Sequence, residues 1–529
     1  RAGLGLCQHS DERSVLDRDP RLRALGRRKG RRVTDRAGNL VSRRHVLAGL
    51  MATVATPALA EAPARSLRPM ARPGSAVRAP GLPDIAALAE QAGIGGKVSV
   101  ALAEAGTGRI VQEHGAALRL PPASVAKVMT TCYALEALGP DYVYETRLFA
   151  EGAFSGGILD GNLILSGSGD PMLTTDDLGA LAKALAAAGI REVTGGFHLW
   201  QNALPYQREI DPGQLPHLGY NPALSGLNLN SNVVHFEWAK AGADYRLTMD
   251  ARSSRYRPDV SMARMTAEDR DLPVYTYQDG GNYDQWTVAR SALGNDGARG
   301  LPVRYPALFA GDVFRTLAAG EGIRLPAGQN RAATPRGEVI ASHKSRPMSE
   351  ILRLMLKYST NLTAEAVGLK ASLARGKTAA SLAASAQEMA RWALETKGVA
   401  CQPVDHSGLG DRTRISAAAL ARFLGHADVA GRLPPLLKEV GVFDSDGRPL
   451  TGKATKVFAK TGTLNFVSSL AGYVQREGQG DLVFAILSAD EDRRAASHNS
   501  QDEVPPGARR WSDNARWLQH RLLRDWISG

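Results

Sequence analysis

Cysteine is nearly missing: 529 residues contain three, at positions 7, 132 and 401. So few thiols exclude a disulfide scaffold and a cysteine zinc cluster. Neither H-E-x-x-H nor paired C-x-x-C occurs, so no metal is implied and no cofactor is expected. No G-x-S-x-G elbow surrounds any serine, which argues against an α/β-hydrolase. The near match Gly447-Arg-Pro-Leu-Thr-Gly-Lys453 has Ala454 where a phosphate loop needs Ser or Thr, and an apolar strand follows where a helix should. It reads as a loop. There is no internal repeat, and no apolar run reaches the roughly 20 residues of a membrane span.

Acidic residues are outnumbered, and the net charge is +12. The excess is uneven. Residues 1–60 carry thirteen Lys/Arg against five Asp/Glu, so +8 of the total lies there. No nucleic-acid partner is expected from a charge so placed. Ser42-Arg-Arg-His-Val-Leu47 opens an apolar stretch from Val46 to Pro57 that ends in the small-x-small pattern Ala58-Leu-Ala60. This reads as an export signal of the paired-arginine kind. Residues 1–60 are therefore expected to be a leader and 61–83, rich in Pro, Ala and Arg, a linker. With a chain that opens on Arg1 and stays Arg-rich to residue 40, the true start is expected further along or elsewhere. Export predicts an extracytoplasmic, periplasmic protein.

Three short strings stand out in what remains: Ser124-Val-Ala-Lys127, Ser359-Thr-Asn361 and Lys460-Thr-Gly-Thr463. A serine hydroxyl attacks a carbonyl only as a neighbouring base takes its proton. Ser124 and Lys127, three residues apart, share one helix face. Lys127 must be neutral to act as base, so its pKa of roughly 10.4 has to be lowered by burial or a nearby cation. Lys460 is a candidate for that cation. Pro121 and Pro122 followed by Val125, Val128, Met129, Cys132 and Leu135, and the stop at Gly139-Pro140, predict a helix with Ser124 at its N-terminus. Taken alone, such a helix is more often ordinary core.

Lys460 to Thr463 continues the apolar run Val457-Phe458-Ala459. Ser468 to Val474, a polar turn and Leu482 to Leu487 follow, which predicts adjacent hairpin strands. Gly462 would let a substrate backbone lie close against its strand. Ser359-Thr-Asn361 interrupts a helical stripe running from Met348 to Val367; by itself it would be a polar interruption or a cap. Together the strings are the S-x-x-K, S-x-N and K-T-G trio of penicillin-interacting serine acyl-transferases.

Beyond the trio, Gly167-Ser-Gly-Asp-Pro171, Ala223-Leu-Ser-Gly-Leu-Asn-Leu-Asn-Ser-Asn232, Asp405-His-Ser-Gly-Leu409 and Ala471-Gly-Tyr-Val474 resemble the D-alanyl-D-alanine carboxypeptidase/endopeptidase family, the class C low-molecular-mass penicillin-binding proteins, over about residues 84 to 490. The resemblance implies an α/β (α+β) fold. A β-lactamase/transpeptidase-like domain, an antiparallel sheet flanked by helices, would comprise 84–150 and 345–529. One or two smaller β-rich domains, 151–344, would be inserted between the first and second motifs.

The resemblance also implies roles. Ser124 would be the acylated nucleophile, Lys127 its base, and Ser359 the proton relay to the leaving group. Asn361 would hold the acyl amide and Lys460 would stabilise charge beside Ser359. Thr461, Gly462 and Thr463 would bind substrate, with the two hydroxyls on its terminal carboxylate. Backbone N–H groups of Ser124 and Thr463 would form an oxyanion hole, worth roughly 3 to 4 kcal/mol per donor. Tyr133 and Leu409 would be pocket walls. Partners would be peptidoglycan stem peptides, and β-lactams as covalent inhibitors.

Thr360 stands where Asp is frequent, and His406 and Gly410 where Gly and Ser are expected. Asp405, His406 and Ser407 are adjacent in sequence, which is not triad geometry. A β-lactamase or esterase on the same scaffold, or a non-catalytic peptidoglycan-binding protein, are the alternatives. The C-terminal stretch with Trp511, Ala515, Leu518, Leu522 and Trp526 at helical spacing predicts an amphipathic helix. It is read as packing on the sheet, with a peripheral membrane contact as the alternative. The sequence leaves the oligomeric state open.

Overall fold

A computed structural model of the chain describes residues 82–528 other than 378, 453 and 499. The expected leader and nearly all of the expected linker lie outside the described residues.

The central sheet has six antiparallel strands in the spatial order Lys438–Glu439, Thr455–Leu464, Val467–Arg476, Leu482–Ala489, Lys97–Glu104 and Ile110–His114. Lys97 pairs with Ala489 and Glu104 with Leu482, so the start and the end of the described chain share one sheet. Its middle strands read as continuous apolar runs because both faces are covered. Val100, Leu102, Leu470, Val474, Phe484 and Ile486 face the C-terminal helix Ala508–Ser528, through Leu518, Leu522, Leu523 and Trp526. Ala101, Ala103, Ala471, Val483, Ala485 and Leu487, one residue out of step, face the helices that carry Val125, Val128, Met129, Leu420 and Phe423. The period of two in the strand assigns each residue to its layer.

The apolar stripe of the C-terminal helix is thereby covered by protein: Trp511, Ala515, Leu518, Leu522 and Trp526 are all buried. This removes the argument for membrane contact through that stripe. Among the described residues no helix is long and apolar enough to cross a membrane.

Between the first and second motifs the chain builds a separate core. One sheet there orders Gly328–Asn330, Phe197–Trp200, Ile158–Ser166, Glu145–Ser155 and Glu338–Lys344, with the helices Thr175–Ala187 and Pro306–Gly320 packed against its core. Two three-stranded sheets complete it: Ala263–Glu268, Asp284–Ala289, Tyr275–Asp279; and Asp296–Pro302, Val233–Ala241, Asp244–Asp250. The strand Glu145–Ser155 straddles the boundary expected at residue 150, since its first half already pairs with Glu338–Lys344.

Two local departures from the expected elements matter for the site. Ser124 lies in a 3-10 turn, Ala123–Ala126, and the α-helix proper runs from Lys127 to Leu138. The stripe from Met348 to Val367 is not one helix but two, Met348–Tyr358 and Asn361–Ala374. Ser359 between them is left-handed, with φ of 60° and ψ of 31°. Both helices keep their apolar faces on shared core, so the stripe runs through the break unmarked.

Candidate active site

The elements that carry the three motifs converge. Lys127 is fully buried at the start of its helix. Its Nζ lies 2.8 Å from Ser124 Oγ, 2.8 Å from Asn361 Oδ1 and 2.9 Å from the Ser407 carbonyl. For a neutral amine this geometry leaves two N–H groups for Asn361 and Ser407, and a lone pair for the Ser124 hydroxyl. Burial pushes Lys127 well below the ordinary lysine value, helped by the Lys460 charge and opposed by Glu365 and Asp405. These are the conditions a lysine base requires.

Lys460 Nζ donates to Ser359 Oγ at 3.0 Å and to the Thr461 carbonyl at 2.7 Å. Burial lowers its pKa to about 8. Asn361 is held at both ends of its amide, since its Nδ2 donates to the Tyr220 carbonyl at 2.9 Å. The expected residues therefore form two linked lysine–serine pairs, Lys127 with Ser124 and Lys460 with Ser359, coupled through the charges of the lysines, with Asn361 bonded to Lys127.

Thr461 and Thr463 take part in none of these bonds through their hydroxyls. They are exposed and lie across the strand from Lys460 and Gly462. Pairing with Lys438–Glu439 stops at Ala459, so this end of the strand extends past its edge partner. Gly462 has a different reason than expected. A Cβ there would sit 2.3 Å from Ser469 Oγ, 2.6 Å from the Pro122 carbonyl and 3.0 Å from the Ser124 amide nitrogen. The glycine admits the turn of Pro122 and Ser124, rather than a substrate backbone, against the strand.

Strain concentrates at the same place. Ala123, one residue before Ser124, has φ of 45°, and Ser359 is left-handed. For non-glycine residues each such conformation costs about 1 to 3 kcal/mol and needs support from its surroundings.

Two carboxylates act on Lys127 from nearby; Asp405 was named in the sequence only within its motif string, and Glu365 was not singled out. Glu365 is fully buried and accepts the backbone N–H groups of His406 at 2.9 Å and Ser407 at 2.8 Å. Burial and the neighbouring Asp405 raise it to about 8. Asp405 accepts from the amides of Gly408, at 2.7 Å, and Gly410; burial raises it too. Together they fold the 405–410 loop so that the Ser407 carbonyl meets Lys127. Glu365 did leave a signal: it is an acid four residues after Asn361, on the same helix face, between the apolar Leu362, Ala364, Ala366 and Val367.

Several residues take other places than expected. His406 is buried with its pKa lowered to about 3 by burial. Its Nε2 pairs with Ser385 Oγ at 2.8 Å and its ring lies where a Gly368 Cβ would go. It is core, not part of a triad. Gly410 is a glycine because a Cβ would crowd Val404 and the Asp405 carboxylate. Tyr133 is not a pocket wall: it is fully buried, bonded to Ser372 at 3.0 Å and packed on Trp392. Leu409 packs with Leu204, Ile210, Leu224 and Leu362. Cys132 and Cys401 are free thiols, and burial pushes Cys132 up to about 12.

The remaining motif strings interlock as supports. Gly169 N–H donates to the Gly226 carbonyl at 2.7 Å, and Gly167 has no room for a Cβ against the same carbonyl. Asn232 Nδ2 bonds Ala223 O and Asn228 Oδ1, both at 2.8 Å. This knot joins the segment that presents Tyr220 to the inserted core.

Residues 82–506 match the model of the D-Ala-D-Ala carboxypeptidase 3 (S13) family. A D-alanyl-D-alanine carboxypeptidase of Actinomadura sp. is 29% identical over 444 residues, 77% of this chain and 80% of that protein. The D-alanyl-D-alanine carboxypeptidase DacB of Haemophilus influenzae is 22% identical over 388 residues, 69% of this chain and 80% of that one. Among solved structures, penicillin binding protein 4 (dacB) of Haemophilus influenzae superposes with a TM-score of 0.67 at 20% identity, covering 83% of this chain and 99% of that one. The same protein complexed with a β-lactam superposes with a TM-score of 0.64 over the same shares of the two chains, also at 20% identity.

Proposed function

Because the chain belongs to the D-Ala-D-Ala carboxypeptidase 3 (S13) family, we propose that Ser124 is its acylated nucleophile and that the two linked lysine–serine pairs run the proton traffic of a serine D,D-peptidase. A serine-type carboxypeptidase of this family acts on peptidoglycan. The reading adds which atoms do so here.

Ser124 Oγ attacks the carbonyl carbon of the penultimate D-Ala while Lys127 Nζ accepts its proton. The oxyanion that forms is held by the backbone N–H groups of Ser124 and Thr463. Ser359, bonded to Lys460, passes its proton to the departing D-Ala amine and takes the one held by Lys127 in its place, leaving an ester on Ser124 and Lys127 neutral again. Water, deprotonated by that neutral Lys127, attacks the ester, and Lys127 returns the proton to Ser124 Oγ as the acid leaves. Asn361 orients the acyl amide, and the Thr461 and Thr463 hydroxyls with the Lys460 cation receive the terminal carboxylate. The same acyl-enzyme accounts for release of a terminal D-Ala and for cleavage of a D,D-cross-link. A β-lactam mimics the D-Ala-D-Ala amide and acylates the same oxygen. The proposed setting is outside the cytoplasm, where stem peptides lie. Residues 84–144 and 345–529 are the proposed catalytic domain, with 145–344 inserted in it, since the strand Glu145–Ser155 belongs to the inserted sheet.

The carrying observation is Lys127 Nζ at 2.8 Å from both Ser124 Oγ and Asn361 Oδ1. Intact-mass spectrometry of the chain with benzylpenicillin, followed in time, tests it. The expected result is one persistent adduct, mapped to Ser124 and absent from Ser124→Ala. Fast drug hydrolysis without an adduct would make the protein a β-lactamase; no reaction would leave a non-catalytic binding protein.

A further inference from the structure

Apart from the reacting serine, the inserted region has a groove of about 440 Å³, inside the range of about 300 to 1,000 Å³ of small-ligand sites. Its walls carry Gln201, Tyr206, Arg208, Asp279, Tyr305 and Asn330. None of the three motifs contributes to it.

Two tyrosine rings are fixed there by their hydroxyls. Tyr206 is 45% exposed, yet its hydroxyl donates to the Arg304 carbonyl at 3.0 Å. The Tyr305 hydroxyl donates to Asp279. Arg208 pairs with the same Asp279 at 2.8 Å, so the charges of the groove cancel. That balance disfavours a phosphate or a free cation. What remains is a pair of immobilised aromatic faces beside planar groups that donate and accept: a guanidinium, a carboxylate and the amides of Gln201 and Asn330. The Gln201 side-chain oxygen is buried without a hydrogen-bond partner. Such a surface suits a neutral pyranose, whose C–H face lies on an aromatic ring while its hydroxyl and N-acetyl groups bond the planar side chains.

The groove is also mechanically tied to the catalytic centre. Leu204, Ile210 and Leu224, from the segment that carries Tyr206 and Arg208, pack with Leu362, Leu369 and Leu409. The buried Arg304 guanidinium donates to the carbonyls of Arg208, Pro216 and Asn221. One residue before Asn221, the Tyr220 carbonyl holds Asn361.

We propose that this groove binds the N-acetylated amino-sugar strand that bears the stem peptide, so that the enzyme acts on glycan-linked peptide in preference to free peptide. The inference rests on the peptidoglycan reading above and extends it to a second foothold on the same polymer.

The test compares D-Ala release from a free stem pentapeptide and from the same peptide on a disaccharide of N-acetylated hexosamines, in the wild type, Tyr206→Ala and Asn330→Ala. The wild type should favour the glycan-linked substrate. Each variant should raise KM for it about tenfold, the worth of one good contact, leaving free-peptide kinetics and benzylpenicillin acylation of Ser124 unchanged. Equal kinetics of all three proteins on both substrates would overturn the groove. If wild-type protein neither releases D-Ala nor takes up penicillin, the assignment of Ser124 has failed instead. The groove is then decided by titrating a soluble N-acetylglucosamine tetramer by NMR: binding lost in Tyr206→Ala supports it, and no binding to wild type at millimolar sugar refutes it.

Discussion

Lys127 Nζ and Ser124 Oγ stand 2.8 Å apart, with the lysine's other contacts, Asn361 Oδ1 and Ser407 O, fixing where its lone pair points. The amine is thereby held against the serine hydroxyl by contacts from separate parts of the chain, as the proposed base would need to be.

Replacing Lys127 by Ala removes that base. Benzylpenicillin acylation should fall by about 10² to 10⁴-fold, the usual worth of general base catalysis, with D-Ala release falling in parallel. Stopped-flow or time-resolved mass measurement of adduct formation checks it; an unchanged rate would exclude Lys127 from the step.

The pH dependence follows from the two lysines. Lys127 acts neutral, so acylation should rise with pH on the acid side as it loses its proton, at a pH well below that of an ordinary lysine. Lys460 acts charged and is lowered to about 8, so the rate should fall again above pH of about 8. Removing the Lys460 charge takes away a neighbouring cation that lowers Lys127. In Lys460→Ala the acid limb should therefore move to higher pH and the fall near 8 should vanish, beneath an overall lower rate. A pH profile of kcat/KM or of penicillin acylation reads both limbs.

Glu365 accepts two backbone N–H groups with its two oxygens, a pattern Gln cannot satisfy because one end of its amide is a donor. Glu365→Gln should lose about 1 to 3 kcal/mol of stability, the cost of a buried unpaired donor. It should also slow acylation by unseating the Ser407 carbonyl. Denaturant unfolding beside an acylation assay measures both, and no loss in either would deny the loop its anchor.

Gly462→Ala would put a Cβ within 3.0 Å of Ser469 Oγ, Pro122 O and the Ser124 amide nitrogen. The strand and the nucleophile's turn must then part. Acylation should drop at least about tenfold for a small stability change of about 1 to 3 kcal/mol. Thermal melting with adduct kinetics tests the uneven split; wild-type kinetics would show that the turn tolerates the methyl group.

Leu522 is fully buried between the C-terminal helix and the sheet. Leu522→Ala should cost about 2 to 5 kcal/mol, seen as a lower urea midpoint. A negligible change would mean that this face is not packed on the sheet in solution.

What the sequence by itself determined is the chemistry and much of the layering. Serine and lysine three residues apart come to lie side by side on one turn, so the Ser124–Lys127 pairing was legible locally. The strands Val467–Arg476 and Leu482–Ala489 and the stripe of the C-terminal helix follow from apolar spacing, because burial acts residue by residue along a regular backbone. Tertiary structure alone decided the rest. The break at Ser359 is invisible in a stripe whose two halves face shared core. Gly462 is glycine on account of Pro122, Ser124 and Ser469, all far from it in sequence or reached only across strands. Tyr220 and Glu365 serve Asn361 and the Ser407 carbonyl through hydrogen bonds that exist only once the inserted segment and the 405–410 loop are folded against the motif helices. Local spacing carries period and pairing along one element, and contacts between elements distant in the chain leave no such trace.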